Sequence, residues 1–412
     1  MGDTSLRRHH QPGFMTGLSL LIPITLSTMA IVLLAPILPS LLQEFSGVAG
    51  HEYWVPMILT VPALCVAVFS PVAGMLGDWF GRRRLLIAAL VAYGVVGVAP
   101  VFLTDLVAII ISRVGVGVAE ALIMVLTTTM IGDYFKGAAR DKWLAGQTAF
   151  ASMSALLFFN LGGQLGRFGW RAPFWVYGVA LVMLGLVLAF TWEPAEDCAA
   201  DEAEHAPHHG GWAGFPWGRM AGIIAITIYG SVLFYTVQIQ AGQGLALLGL
   251  RDPGEIGFLT SLASIGVPLG TFAYSRVGRV RVAWLLLVEF GLLTLGFLLM
   301  SKAGARLPFL GGCFINQFGA GMLLPTLLVW AMDGLPFDIR SRAAGMWTGA
   351  FSLGQFLCPV VVTFSGTYLG GLSGAFGLLS AAAGLGALGA LLGLMKRGGG
   401  PVAGAGTVAL HG

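Results

Sequence analysis

Gly74-Met75-Leu76-Gly77-Asp78-Trp79-Phe80-Gly81-Arg82-Arg83-Arg84 breaks two long apolar runs with one acid, spaced glycines and three consecutive arginines. Charge at this density cannot rest in hydrocarbon, so the segment reads as a tight loop at a membrane surface. The runs on either side of it must then cross the bilayer.

Composition supports that reading over the whole chain. The 412 residues are 57% hydrophobic and 10% charged, with a mean hydropathy of +0.85, whereas a soluble domain carries about 25% charged residues. A β-barrel would alternate over strands of about ten residues, but here the apolar runs continue for about 20, the length of a spanning helix. Twelve spans are predicted, centred near residues 30, 65, 94, 119, 154, 181, 230, 266, 292, 320, 353 and 384. The stretch behind Arg7 and Arg8 is read as a first retained span, because it is too long for a signal peptide and no small-residue cleavage site follows.

Charge placement then orients the chain. Of the 22 Lys and Arg, only Arg167, Arg171, Arg251, Lys302 and Arg306 fall on one side, Arg113 falls within a span, and the other sixteen fall on the side of the termini. Basic residues collect on the cytoplasmic side, so both termini are expected there. The net charge of +3 is therefore a topology signal, and no basic patch with interleaved aromatics suggests nucleic acid. Cys65, Cys198, Cys313 and Cys358 lack metal-ligand spacing and read as packing thiols. No cofactor or metal is expected.

The apolar pattern stops from Glu193 to Trp217, where Glu193-Pro194-Ala195-Glu196-Asp197 leads into Asp201, Glu202, Glu204, His205, His208 and His209. This polar stretch reads as a flexible linker with six spans on each side, the arrangement of two repeated bundles. The histidines read as solvated linker residues, since a flexible segment pre-organises no ligand geometry. The expected units are a six-helix bundle over 1–192, a cytoplasmic linker over 193–218, a second bundle over 219–397 and a disordered glycine-rich tail over 398–412.

Several segments carry a family resemblance. The order G-x-L-x-D-x-x-G-R-R-R at Gly74–Arg84 resembles the loop joining transmembrane helices 2 and 3 of the major facilitator superfamily of secondary transporters. Arg113-Val114-Gly115-Val116-Gly117-Val118-Ala119-Glu120 resembles that family's second motif, an arginine followed by closely spaced glycines. Gly270 to Arg279 is a degraded second-half echo of the loop, with Ser275 in the place of the acid. The resemblance implies an all-α fold of twelve transmembrane helices in two pseudo-symmetric six-helix bundles. The branch it looks most like is drug:proton efflux, through features such as the Pro36-Ile37-Leu38-Pro39 exit from span 1. Span 5 departs from that branch: it keeps Gly162 and Gly163 but has Phe158-Phe159 where Gly-Pro is usual.

Candidate residues follow from chemistry and from the resemblance. An ionisable group inside the membrane marks a polar cavity, a proton relay or a substrate site. Arg113 and Glu120 lie seven apart, nearly on one helical face and about two turns from each other; in proton-coupled relatives the motif arginine is associated with proton transfer, and Glu120 is the candidate protonatable carboxyl. Glu289, in span 9, is expected to pair with a neighbour or to snorkel. The family's cavity lies between spans 1, 4, 7 and 10, which makes Thr28, Tyr235, Gln238, Asn316 and Gln317 the candidate substrate contacts; Gln238 and Gln240 cannot share one face of a regular helix. In the family the loop latches the two halves. Gly74, Asp78, Gly81, Arg82 and Asp133 would form that latch, with Asp133 facing Arg82 and the helix start at Ser341–Gly345 facing Asp78.

The expected function is secondary active transport of a small organic molecule across a bacterial inner membrane by alternating access, with proton-coupled export preferred. Proton-coupled uptake of a metabolite is the close rival. A non-transporting sensor or membrane enzyme on the same scaffold is the alternative of another class, although no nucleotide-binding loop, G-x-S-x-G or H-E-x-x-H occurs. The expected partners are substrate, protons and lipid, with the chain a monomer and not an enzyme.

Overall fold

The structure, a computed structural model, describes residues 12–193, 216–278, 280–333, 335 and 337–396. Most of the expected linker with its three histidines, Cys198, Arg279 and the tail lie outside the described residues, and so do the side chains of Ser341 and Arg342.

Among the described residues, twelve helices are long and apolar enough to cross a bilayer: α1 Phe14–Glu44, α2 His51–Phe80, α3 Arg82–Val101, α4 Leu106–Tyr134, α5 Gly137–Gly166, α6 Ala172–Phe190, α7 Trp217–Leu247, α8 Pro253–Val277, α9 Val282–Lys302, α10 Arg306–Met332, α11 Ala343–Leu369 and α12 Leu372–Met395. Every predicted centre falls inside one of them. Helices prevail because each backbone N–H is paired within its own segment, which hydrocarbon demands. The start of α1, the Gly81 loop and the end of α12 share one end of the molecule, here the near end; the α5–α6 and α7–α8 connections lie at the far end. Gly81 turns the signature loop with φ of 87°, a conformation that glycine adopts without steric cost.

The internal repeat is visible in which helices pack together. In the first half α2 packs on α4, α3 on α4 and α6, and α1 on α5; in the second, α8 packs on α10, α9 on α10 and α12, and α7 on α11. Each pairing recurs six helices later, as two copies of one bundle require. The halves meet along α2–α11 and α5–α8, with α1 against α7.

Helix α1 is bent by proline. Short 3-10 turns at Ile22–Ile24 and Ala35–Ile37 contain Pro23 and Pro36, which lack the N–H that a regular helix needs. Below the second turn, Leu34 N donates to Ile31 O at 3.2 Å, so the Ala30 carbonyl is left to a side chain from another helix.

The two glycines kept in span 5 have separate neighbours. Gly162 backs onto the Leu33 carbonyl of α1, and a Cβ on Gly163 would stand 2.5 Å from the Pro253 carbonyl of α8. Bare backbone thus lets α5 approach both helices. Next to this seam Asn160 donates to Ser261 at 2.7 Å. At its far end Arg167 donates to Asp252 at 2.9 Å through Nε and to Gln164 at 2.7 Å, and Thr363 of α11 donates to the Glu52 carbonyl at 3.2 Å. Arg167 beside Asp252 holds its carboxyl down to about 2. A cleft of about 380 Å³ lined by Pro36, Gln43, Leu250, Arg251 and Ile256 lies at this far end.

Two outcomes are expected. Because folding lowers the Asp252 pKa, its contribution is whole above the ordinary 3.8 and fades only as pH falls toward about 2. Labelling of a cysteine placed at Gln43 should therefore stay constant from neutral pH down to the ordinary carboxylate range and rise in Asp252→Asn at all of them. Gly163→Ala should raise the same labelling at every pH, because its methyl forces α5 and α8 apart; wild-type labelling in that variant would count against the tight seam.

Candidate functional site

The polar residues inside the membrane fall into three groups. The first surrounds Arg113 on α4, whose side chain is 0% exposed. Its guanidinium donates to the Gly97 carbonyl at 3.0 Å and to Ser112 Oγ at 3.3 Å. It also lies 4.8 Å from the Tyr177 ring and 5.1 Å from the Phe174 ring, a face-on arrangement that stabilises a desolvated cation. Nη1 has no partner. Tyr177 stacks on Tyr93 at 5.5 Å, and both hydroxyls reach α1: Tyr93 donates to the Leu26 carbonyl at 2.8 Å and Tyr177 to the Ala30 carbonyl at 3.3 Å. The proton from Tyr177 thus meets the carbonyl that the bend in α1 set free.

Glu120, two turns along α4, is 5% exposed, and its Oε2 has no hydrogen-bond partner. Seven residues of helix rise cover about 10 Å. Arg113 and Glu120 share a face without meeting, and no ion pair joins them among the described residues. Aromatic rings and backbone carbonyls take up the arginine. Glu120 sits where α4 presses on α2, since a Cβ on Gly117 would lie 2.8 Å from the Pro62 carbonyl.

The second group is a set of amides in the opposite half. Gln238 on α7 donates to Gln317 on α10 at 2.6 Å, and Gln317 donates to Asn316 at 3.2 Å. Each lacks part of its complement: Gln238 Oε1 and Asn316 Nδ2 are unpartnered. Gln240 is buried with a bare Oε1, on another face of the continuous helix α7. Tyr235 packs against Phe234 and, across to α11, against Phe351, which stacks on Trp347 at 5.3 Å. Thr28 of α1 donates to the Ala151 carbonyl at 3.3 Å, so its hydroxyl is committed to α5. The structure sets Tyr235 in an aromatic cluster and joins Gln238, Gln317 and Asn316, while Thr28 belongs to a different contact.

The third group lies at the near-end surface. Arg82 donates to both Asp133 oxygens, at 2.5 and 2.6 Å, and to Asp78 at 2.9 Å. Asp78 has a side-chain exposure of 61%, and its described bonds both go to Arg82, within the first half. A Cβ on Gly77 would strike Leu126 at 2.6 Å, whereas Gly74 has only Val125 at 3.9 Å. Sequence reading missed Arg83: its backbone N–H donates to Glu193 at 3.1 Å, and its guanidinium to Thr191 at 3.2 Å and to the Leu188 carbonyl at 3.1 Å. The loop is thereby tied to the end of α6 as well as to α4. Only the three-arginine run hinted at this, since one guanidinium can serve only one of these distant partners.

Residues 20–359 match the family model described as the Major Facilitator Superfamily. The chain is 23% identical over 318 residues to the class B tetracycline resistance protein of Escherichia coli, spanning 73% of this chain and 76% of that protein. It is 33% identical over 140 residues to the 3-(3-hydroxy-phenyl)propionate transporter of Escherichia coli K12, spanning 33% of this chain and 34% of that protein. Among solved structures, a bacterial homologue of the human lysosomal transporter Spinster, in an inward-facing, unoccupied conformation, superposes with a TM-score of 0.77 at 14% identity, spanning 94% of this chain and 98% of that one. At that identity the superposition speaks for the fold alone.

The arginine cluster makes a stability prediction. Arg113→Lys keeps the charge but loses the stack and the Gly97 bond, and should destabilise the protein by about 2–3 kcal/mol. Tyr177→Phe loses one hydroxyl bond and should cost about 1 kcal/mol. Thermal midpoints in detergent would check this, and the reverse order would refute the proposed anchoring.

Proposed function

This chain belongs to the Major Facilitator Superfamily, and we propose that within that family of transporters it is a proton-coupled exporter of a small organic molecule. The observation that carries the reading is Glu120: a buried carboxyl with a bare oxygen, on the helix of the first half that presses on α2. When protonated it is neutral and tolerates the closed, dry seam. When ionised it needs water or a positively charged partner, which an opened cavity or a bound substrate provides. Substrate and proton then compete for one group, which is the condition for exchange of one against the other. Likeness to a tetracycline resistance protein over most of both chains supports export.

With the basic residues marking the near end as cytoplasmic, the far end is external and the described seam at α5–α8 closes the path to the outside. The chain would be seated in a bacterial inner membrane as a monomer, open toward the cytoplasm. Reversal needs α5 and α8 to part and the near end to close. Asp78 is exposed and, among the described residues, bonded to its neighbour Arg82; the helix expected to start at Ser341–Gly345 begins earlier, at Phe337, so a latch to Asp78 would use that end, where backbone N–H groups favour a carboxylate. A contact made in one state only sets the relative population of the two. The amides of Gln238, Gln317 and Asn316 supply unpaired donors and acceptors in the other half for the polar edge of a substrate, beside the aromatic wall of Tyr235 and Phe351.

Purified protein in proteoliposomes tests this. A pH gradient should drive substrate flux opposite to the proton flow, and Glu120→Gln should abolish the gradient dependence while the protein remains folded. Full retention of that dependence removes Glu120 from coupling. Flux in the same direction as protons would instead assign proton-coupled uptake.

A further inference from the structure

A second carboxyl is buried away from the seam between the halves. Glu289 on α9 is 0% exposed, in a helix packed on α10 and α12. Sequence reading expects it to pair with a neighbour or to snorkel; it pairs, through one oxygen, with a hydroxyl. Thr326 on α10 stands 2.5 Å from Oε1, while Oε2 has no partner. The charged groups facing it are few: α12 brings no ionisable side chain, α10 brings only Cys313 between its ends, and α8 brings Tyr274.

The bonds at Thr326 constrain where the proton is. Its Oγ1 lies within reach of two acceptors, Glu289 Oε1 at 2.5 Å and the Met322 carbonyl at 3.0 Å. A hydroxyl has one hydrogen. Given to Met322, it leaves Thr326 only an acceptor toward Glu289, and the short contact then requires that Glu289 carry a proton and donate it. Given to Glu289, it leaves a carboxylate with a single bond and a bare Oε2 among apolar side chains, the costlier arrangement. The site therefore has two states that differ by one proton and the direction of one hydroxyl.

A route to this proton is also built. Thr326 lines a cavity of about 70 Å³ at the near end, together with Tyr274, Val282, Leu285, Trp330 and Asp333. Val282, Leu285 and Glu289 follow one face of α9, and Thr326, Trp330 and Asp333 one face of α10. The volume admits a few waters. At its mouth the Asp333 side chain is 50% exposed, 4.0 Å from Arg219.

We propose that Glu289 is a second proton-binding site, filled and emptied from the near end through this cavity and independent of Glu120, which lies in the other half. It lies inside one bundle, so its occupancy does not require the halves to separate. Ionisation draws water to the α9–α10 contact, where a Cβ on Gly319 would lie 3.1 Å from the Glu289 carbonyl. Its protonation thereby adjusts the packing of the second bundle.

Infrared difference spectroscopy of the full chain in nanodiscs tests the site. A carboxylic-acid carbonyl band should be present at acidic pH, decline as pH rises, vanish in Glu289→Gln and move to higher frequency in Thr326→Val, which removes its hydrogen-bond acceptor. It should survive in Glu120→Gln, which separates this proposal from the fate of the export reading. Leu285→Trp, filling the cavity, should slow exchange of the band into deuterated buffer several-fold. The proposal fails if no band depends on Glu289, if the band stays undiminished to alkaline pH in folded protein, or if filling the cavity leaves exchange unchanged. Should Glu289→Gln not fold, the frequency shift in Thr326→Val decides.

Discussion

Hydrocarbon offers no hydrogen-bond partner, and this single constraint organises the protein. It forces the backbone into helices, and it forces each polar side chain within them to find its partner inside the fold. Arg113 shows most of the answer, with only Nη1 left unbonded. Two aromatic faces, a backbone carbonyl and a neighbouring hydroxyl replace its water, and the same rings carry hydroxyls on to α1. Proline in α1 is part of this arrangement, since the altered turn frees the carbonyl that Tyr177 occupies. The answer is incomplete at Glu120, Glu289 and the Gln238–Gln317–Asn316 set, each of which keeps an unpartnered polar atom.

The same constraint explains how the halves are joined. Dry seams between helices gain little from hydrophobic burial, because lipid is equally apolar, so close backbone approach and a few polar contacts hold them. Gly162 and Gly163 supply the approach, and Asn160–Ser261 and Arg167–Asp252 supply the contacts. An exposed ion pair at a rim contributes little stability. The seam is thus held by few and weak polar contacts, whereas the interior of the first bundle, as around Arg113, is held by bonds within one half.

The near end is organised differently. Arg82 and Arg83 tie the signature loop to the ends of α4 and α6, so the loop acts first as a clamp within the first half, and Asp78 is the member that remains available at the surface. A clamp of this kind lets the first bundle move as one body, which any rocking mechanism needs.

Hydropathy period and length sufficed to locate all twelve helices, and the count of basic residues sufficed to propose their orientation, because both properties are summed over local segments and require no partner. The acid and arginine of the loop also announced a contact, with Asp133 as the nearest acid ending a span. Other features could not be read this way. Arg113 and Glu120 stand on one helical face, so spacing suggests a pair, yet the arginine is taken by Phe174, Tyr177 and Gly97, from helices distant in sequence. Glu289 carried no signal that Thr326 would face it. Helix existence follows from transferring one segment from water to lipid, which sequence alone determines; the rotation of each helix and the partner of each buried group follow from how twelve helices pack, and only the tertiary structure decides that.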